Sequence, residues 1–229
     1  MSMGARYRGA LGAMIGVAVS TLCGAVLARL TGGAASVIPP IGASAVLVFV
    51  VTASPLAQPR AVLGGNMVSA LIGIGVAWAL PLTAIAQGSA AALAMAGALA
   101  LAVGLAIVAM EALRCLHPPS GAVVLLPVLA GHTAIAHGGG VMLLALVAVN
   151  TLALLGVGWL FNTLTGTSYP HRTLPMPELR DDGTHAADRA DLAAVLAGLD
   201  SMPDISIDDL DAIARAMAMR RRARGGDGG

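Results

Sequence analysis

The sequence predicts an all-α fold, a polytopic membrane helical bundle followed by a short soluble, partly helical tail, and three observations carry that prediction. The chain has 229 residues, 57% of them hydrophobic and 11% charged, with a mean hydropathy of +0.84. Its charges are segregated: Glu111 is the only carboxylate from Met1 to Pro170, and every other Asp and Glu lies between Glu178 and Asp227. Apolar runs of bilayer-crossing length alternate with breaks marked by Pro and Gly. Residues 1–170 are therefore read as a transmembrane domain and 171–229 as a soluble tail. A net charge of +1 offers no basic field for nucleic acid. Aromatics are only 3%, and 29 glycines with abundant alanine let membrane helices approach closely. Cys23, in an apolar run, and Cys115 are read as buried small hydrophobes rather than as a disulfide or metal pair.

The elements follow in order. Arg6 and Arg8 precede an uncharged run, Ala10 to Ala28, of one helical span. It lacks a small-x-small cleavage site and is followed by more membrane sequence, so it is read as an uncleaved helix rather than a signal peptide. Arg29 ends it and Thr31-Gly32-Gly33 turns the chain. The next run, Val37 to Ala53, is interrupted by Pro39-Pro40 and closed by Ser54-Pro55. Proline disfavours helix in the residue before it, so helix starts at about Pro40. About 14 residues remain, roughly 21 Å, too short for the hydrocarbon core; the segment is either broken or re-entrant. After Gln58-Pro59-Arg60 a third run extends from Ala61 to Leu80 and contains the polar Asn66. Gln87-Gly88-Ser89 leads into a fourth, Ala90 to Met110. Glu111 and Arg114 lie one helical turn apart. Then comes a polar seam, Leu116-His117-Pro118-Pro119-Ser120-Gly121-Ala122. Helix is expected to restart at Pro118 or Pro119 and to run to about Leu129, shortened by Pro127. Gly131 to Gly140 reads as a glycine-rich loop and Val141 to Phe161 as the last full-length run, with Trp159 and Tyr169 near its end as interfacial aromatics.

The seam has a fainter copy, Ile38-Pro39-Pro40-Ile41-Gly42-Ala43-Ser44, placed 118 − 39 = 79 residues earlier. Both copies hold Pro-Pro-x-Gly-Ala, and Asn66 with Gly73-Ile74-Gly75 resembles Asn150 with Gly156-Val157-Gly158. The order long, broken, long occurs twice, so two three-segment repeats are expected. With six crossings, the amino terminus, Arg60, Arg114 and Arg172 share one side and only Arg29 takes the other. The positive-inside rule then puts both termini in the cytoplasm, for a bacterial inner membrane. Three crossings per repeat is odd, so the copies are inverted. Four crossings, with both broken runs re-entrant, mix the arginines; six is preferred for that reason.

These residues suit an anion. Free backbone amides at a helix start present donors and a partial positive charge without a buried cation. Pro39, Pro40, Pro118 and Pro119 mark two such starts, Gly42 and Gly121 let a ligand approach the backbone, and Ser44 and Ser120 add hydroxyls. Short, proline-interrupted segments at corresponding places in two repeats point to a transport site. His117 adds a titratable donor that can couple a proton to the anion, against a plain capping role. Glu111 and Arg114 are candidates for a gate or proton relay, against an interfacial i, i+3 pair. Asn66 and Asn150 either line the pathway or join helices. His132 and His137 are too isolated for a metal site, and no phosphate loop, CxxC pair or nucleophile elbow is present. No catalytic set and no cofactor are expected, so the chain is not read as an enzyme.

The seam, together with Pro39 to Ala45, Ser54-Pro55-Leu56-Ala57-Gln58-Pro59-Arg60 and Gly64-Gly65-Asn66, resembles the HPP family of integral membrane proteins over roughly residues 8 to 170. The resemblance implies nitrite as substrate, by way of plant and cyanobacterial relatives. Asp188 to Leu199 reads as an amphipathic helix, and Ser206-Ile207-Asp208-Asp209 as a capping-box-like start for another, to about Arg222. This resembles the connector that precedes paired CBS domains in bacterial relatives; no such pair is expected within this chain. The expected partners are the lipid bilayer and a small inorganic anion, with a homo-oligomer left open. Two functions remain: a carrier or channel for a small inorganic anion, and a non-transporting scaffold or sensor acting through residues 188 to 224.

Overall fold

The structure, a computed structural model, describes residues 3–32, 38–80 and 89–170, with side chains from Tyr7 onward. The tail helices expected beyond Asp188 and the turn at Gln87-Gly88 lie outside those residues. Among the described residues the fold is all-α, with no strand. The helices are α1 (Met3–Leu30), α2 (Pro40–Val50), α3 (Pro59–Ala79), α4 (Ser89–Ala112), α5 (Ser120–Val123), α6 (Leu125–Ile135) and α7 (Gly139–Leu164), with a single 3-10 turn at Pro55–Ala57. Four stretches, Tyr7–Leu30, Pro59–Ala79, Ser89–Ala112 and Gly139–Leu164, are long and apolar enough to cross a membrane.

Small residues set the packing. Gly9, Gly12, Gly16, Ser20, Gly24 and Ala28 form the buried stripe of α1 at steps of three or four, which on a helix is one face. That face meets α7 and α2. A Cβ on Gly12 would fall 2.5 Å from the Phe49 ring and 2.7 Å from that of Phe161, and one on Gly24 would fall 2.5 Å from Asn150 Nδ2. Only hydrogen fits there, so the close approach of α1 to α7 depends on glycine. α4 carries the equivalent stripe in alanine, with Ala98, Ala102, Ala106 and Met110 buried at steps of four against α3 and α6.

Contacts at the helix ends fix the path. Arg8 Nη1 donates to Thr165 O (3.3 Å), Arg60 Nη2 to Leu113 O (3.2 Å) and the Tyr169 hydroxyl to Ala57 O (2.9 Å). The start of α1, the start of α3 and the ends of α4 and α7 therefore share one end of the bundle. At the other end Thr31 meets Met142, and the Trp78 and His132 rings lie 5.3 Å apart, edge to face. α2 begins in the interior, where Ile38 shares a cluster with Ala70, Val123, Leu146 and Val147, and ends with Val50 against Gly9. The described helices thus alternate in direction between the two ends; four are long enough to cross a membrane, whereas α2 and the α5–α6 segment are shorter apolar helices.

Four expectations need correction. α2 stops at Val50, giving 11 residues rather than about 14. Helix after the second seam starts at Ser120, not at Pro118 or Pro119, and reaches Ile135 rather than Leu129. Pro127 does not shorten it, because helix restarts at Leu125 and the proline falls in the first turn, where its missing N–H costs little. The first half of the expected glycine loop is helical, kinked at Gly131 (φ +80°), and the turn into α7 takes only Ala136, His137 and Gly138, the last two at φ +55° and +93°. Gly73 accommodates the α5–α6 break: its missing side chain leaves room for the Val124 carbonyl and Pro127.

Candidate functional site

The two seams come together, though not start to start. Ile38 lies in the cluster that holds Val123, while Ser44 meets His117, so α2 and the second seam pass one another side by side. The first amides of both helices are already engaged. Ile41 and Gly42 N–H donate to Ile38 and Pro39 carbonyls (3.0 and 3.2 Å), and Ser120, Gly121 and Ala122 N–H donate to those of His117, Pro118 and Pro119 (2.9, 3.0 and 3.0 Å). The reason is local. Pro39 and Pro119 are themselves in the right-handed helical region, so each helix is entered through a 3-10 turn whose carbonyls face the first amides. The free-amide cradle expected from the sequence is therefore closed by the chain's own carbonyls.

What the seams present instead is a buried set of side chains. His117, Ser44 and Ser120 are each 0% exposed. His117 Nδ1 lies 2.8 Å from Leu56 O, and its Nε2 lies 2.8 Å from Ser44 Oγ. A carbonyl only accepts, so Nδ1 carries the proton. Nε2 of the neutral ring then accepts from the Ser44 hydroxyl, an assignment made from partners. Ser120 Oγ donates to Asn66 Oδ1 (2.7 Å), and Asn66 Nδ2 donates to Thr151 Oγ1 (3.0 Å), so one chain of bonds joins α5, α3 and α7. Gly65 lets α3 lie against the seam: a Cβ there would stand 2.7 Å from His117 Cβ, 2.9 Å from Cys115 O and 2.9 Å from Ser120 Oγ. By contrast, a Cβ on Gly42 or Gly121 would meet nothing within 4 Å. Pro39 and Pro118 are exposed, Pro40 and Pro119 buried.

Other candidates lie apart. Asn150 faces α1, where its carbonyl and side-chain oxygens receive Ser20 Oγ (2.7 and 3.2 Å) and its Nδ2 donates to Leu146 O (2.9 Å), so it joins helices. Glu111 and Arg114 are both exposed. They are not an i, i+3 helical pair, because Arg114 has left the helix with φ +52°. Cys115 N–H donates to Met110 O (2.8 Å) and Arg114 N–H to Glu111 O (2.9 Å), the Schellman pattern that closes α4 and turns Cys115 inward against Gly64. Among the described residues no group of three His, Cys, Asp or Glu could hold a metal ion, and both cysteines are free.

Sequence reading missed Thr151, the Leu56 carbonyl and Gly65 as members of the network. Thr151 follows Asn150 directly, and the helical period that turns Asn150 to α1 turns Thr151 to α3. Gly65 was visible in the Gly-Gly-Asn triplet, but its close contact with the seam was not.

Comparison with known proteins places this geometry. A Dictyostelium discoideum protein described as a transmembrane protein is 40% identical over 121 residues. The aligned part is 48% of this chain and 36% of that relative, so the chain spans well under half of the relative's length. No solved structure matches the chain. The family model described as HPP, transmembrane region, matches residues 1–170, which hold both seams and all seven helices. The chain therefore belongs to the HPP transmembrane family.

Proposed function

We propose that this protein is a membrane transporter for a small inorganic anion, and that the second seam, closed by Ser44 and His117, is where the anion binds. The observation that carries the reading is the direct Ser44–His117 bond at 2.8 Å, buried in the interior of the helical bundle. Polar side chains in a membrane interior are costly and mark pathways more often than scaffolding. Here they sit at the meeting point of two proline-started segments, the arrangement transporters use for ligands.

The donors differ from those the sequence offered. With the first amides engaged, the anion takes side-chain donors. Opening the Ser44–His117 bond frees one hydroxyl and one imidazole nitrogen, and rotation of Ser120 away from Asn66 frees a second hydroxyl. Nothing lies within 4 Å of where a Cβ on Gly121, the neighbour of Ser120, would stand, while Gly42 is exposed. A proton taken up on Nε2 ends its role as acceptor and supplies a cationic donor, so protonation and anion entry favour one another. Nitrite, implied by the family resemblance, is the first anion to test. Arg8, Arg60 and Arg114 gather at one end and Arg29 at the other, which supports a cytoplasmic amino terminus. The opposite running of the two halves supports an inverted duplication. The scaffold alternative rests on residues 188 to 224, which lie outside the described residues.

The test is nitrite flux into proteoliposomes, with and without a pH gradient, beside His117→Ala and Ser120→Ala. Flux above that of empty liposomes, reduced in both variants, is the expected result. Folded, inserted protein that passes neither nitrite nor related anions refutes the transport reading.

A further inference from the structure

The single 3-10 turn at Pro55–Ala57 is too short to satisfy its own last carbonyls. Ser54 O accepts from Ala57 N–H (3.0 Å) and Pro55 O from Gln58 N–H (3.3 Å). The next two carbonyls are taken by distant side chains: Leu56 O by His117 Nδ1 at 2.8 Å, and Ala57 O by the Tyr169 hydroxyl at 2.9 Å. The turn itself is clamped. Ser54 Oγ accepts from Leu56 N–H (3.2 Å), and Gln58 Nε2 donates to the carbonyls of Thr52 and Ser54 (2.9 and 2.8 Å). The two carbonyls belong to adjacent peptide planes that meet at the Ala57 Cα, and the turn's bonds from Ala57 and Gln58 N–H hold the φ and ψ between them, so reorienting one carbonyl strains the other. Tyr169 is 4% exposed and sits in an apolar cluster with Ile41, Ala45 and Val48. Burial pushes its hydroxyl above the usual phenol range, so it stays a neutral donor.

We infer that Tyr169 is a positioning residue for the seam: by holding the Ala57 carbonyl it fixes the adjoining Leu56 carbonyl, which keeps the His117 proton on Nδ1 and leaves Nε2 as the acceptor toward Ser44. The inference rests on the reading of this seam as the binding site. It also gives the chain a route for control. Tyr169 stands five residues beyond α7 and immediately before the residues expected to form the soluble tail. A pull on the backbone there reaches His117 through one side chain and two adjoining peptide planes.

The test is nitrogen NMR of the full chain, labelled with 15N-histidine, in lipid nanodiscs. His117 is assigned by its loss in His117→Ala. In the wild type one ring nitrogen is protonated and the other is not. Tyr169→Phe should draw the two resonances toward each other as the tautomers mix, whereas Ser20→Ala, at the α1–α7 contact, should leave them in place. A reciprocal measurement guards against a variant that fails to fold. The chain has two tyrosines, so a 13C label on the phenol carbon yields two resonances, and His117→Ala should move that of Tyr169. A folded Tyr169→Phe protein with unmoved His117 resonances overturns the inference, as does a Tyr169 signal indifferent to His117→Ala. Neither readout involves transport. Coupling without nitrite flux refutes only the transport reading, and flux without coupling refutes only this one.

Discussion

Gly65→Ala and Gly121→Ala are the same chemical change on helices 56 residues apart in sequence, and the structure assigns them opposite signs. At Gly65 the new methyl meets His117 Cβ at 2.7 Å, the Cys115 carbonyl at 2.9 Å and Ser120 Oγ at 2.9 Å. Two of these are backbone or next to it and cannot swing aside, so the overpacking cost belongs in the upper part of the usual range, about 2–3 kcal/mol. Alanine returns about 1 kcal/mol of helix propensity, leaving a net loss of about 1–2 kcal/mol. At Gly121 nothing lies within 4 Å, so only the propensity gain of about 0.5–1 kcal/mol remains. Reversible unfolding in mixed micelles, followed by helical circular dichroism, should place the two variants about 1.5–3 kcal/mol apart by these two terms. Function should divide differently: under the transport reading the anion approaches the backbone at Gly121, so a methyl there should lower nitrite flux in a protein that has become more stable. Equal stabilities would refute the packing argument. A stabilised Gly121→Ala protein with unchanged flux would show that the anion does not approach there.

Four further outcomes follow from individual contacts. Asn66→Ala leaves the buried Ser120 hydroxyl and Thr151 oxygen without their shared partner and should cost about 1–3 kcal/mol in the same unfolding assay. Arg114→Gly should stabilise by about 1 kcal/mol, because it relieves a side chain at φ +52° while the Schellman bonds remain. Ser20→Ala should cost about 1 kcal/mol and leave flux unchanged, since its bonds join α1 to α7 away from the seam. Tyr169 makes stability pH-dependent at the alkaline end. Its folded pKa is raised, so its contribution is whole below the unfolded value of about 10 and is lost as pH rises beyond it. Tyr169→Phe should flatten the alkaline arm of a stability–pH profile.

Much of this fold was legible because its signals are local. Proline at 39, 40, 118 and 119 restricts backbone dihedrals, so two short interrupted segments were readable without any tertiary information. Apolar run length gave the four long helices to within about three residues at every end except the start of α1, which lies seven residues before the expected Ala10. The segregation of Arg8, Arg60 and Arg114 from Arg29 matches the end contacts, which gather the first three at one end of the bundle. The failures have one cause, dependence on a partner far away in sequence. Whether an amide at a helix start is free depends on the conformation of the preceding residue, and proline at 39 and 119 adopted the helical region. Pro127 looked like a terminator because the restart at Leu125 is made possible by Gly73, more than 50 residues earlier. Asn150 was grouped with Asn66 on sequence similarity, but Thr151 carries the link to the seam.

The account stands most directly on whether an anion reaches His117. Nitrite titrated into 15N-histidine-labelled protein in nanodiscs, with the His117 ring nitrogens observed, measures that contact itself. The account predicts a saturable shift of Nε2, as the anion displaces the Ser44 hydroxyl, and loss of that shift in Gly121→Ala. His117 resonances that stay fixed while the same preparation carries nitrite would place the pathway elsewhere and contradict the account.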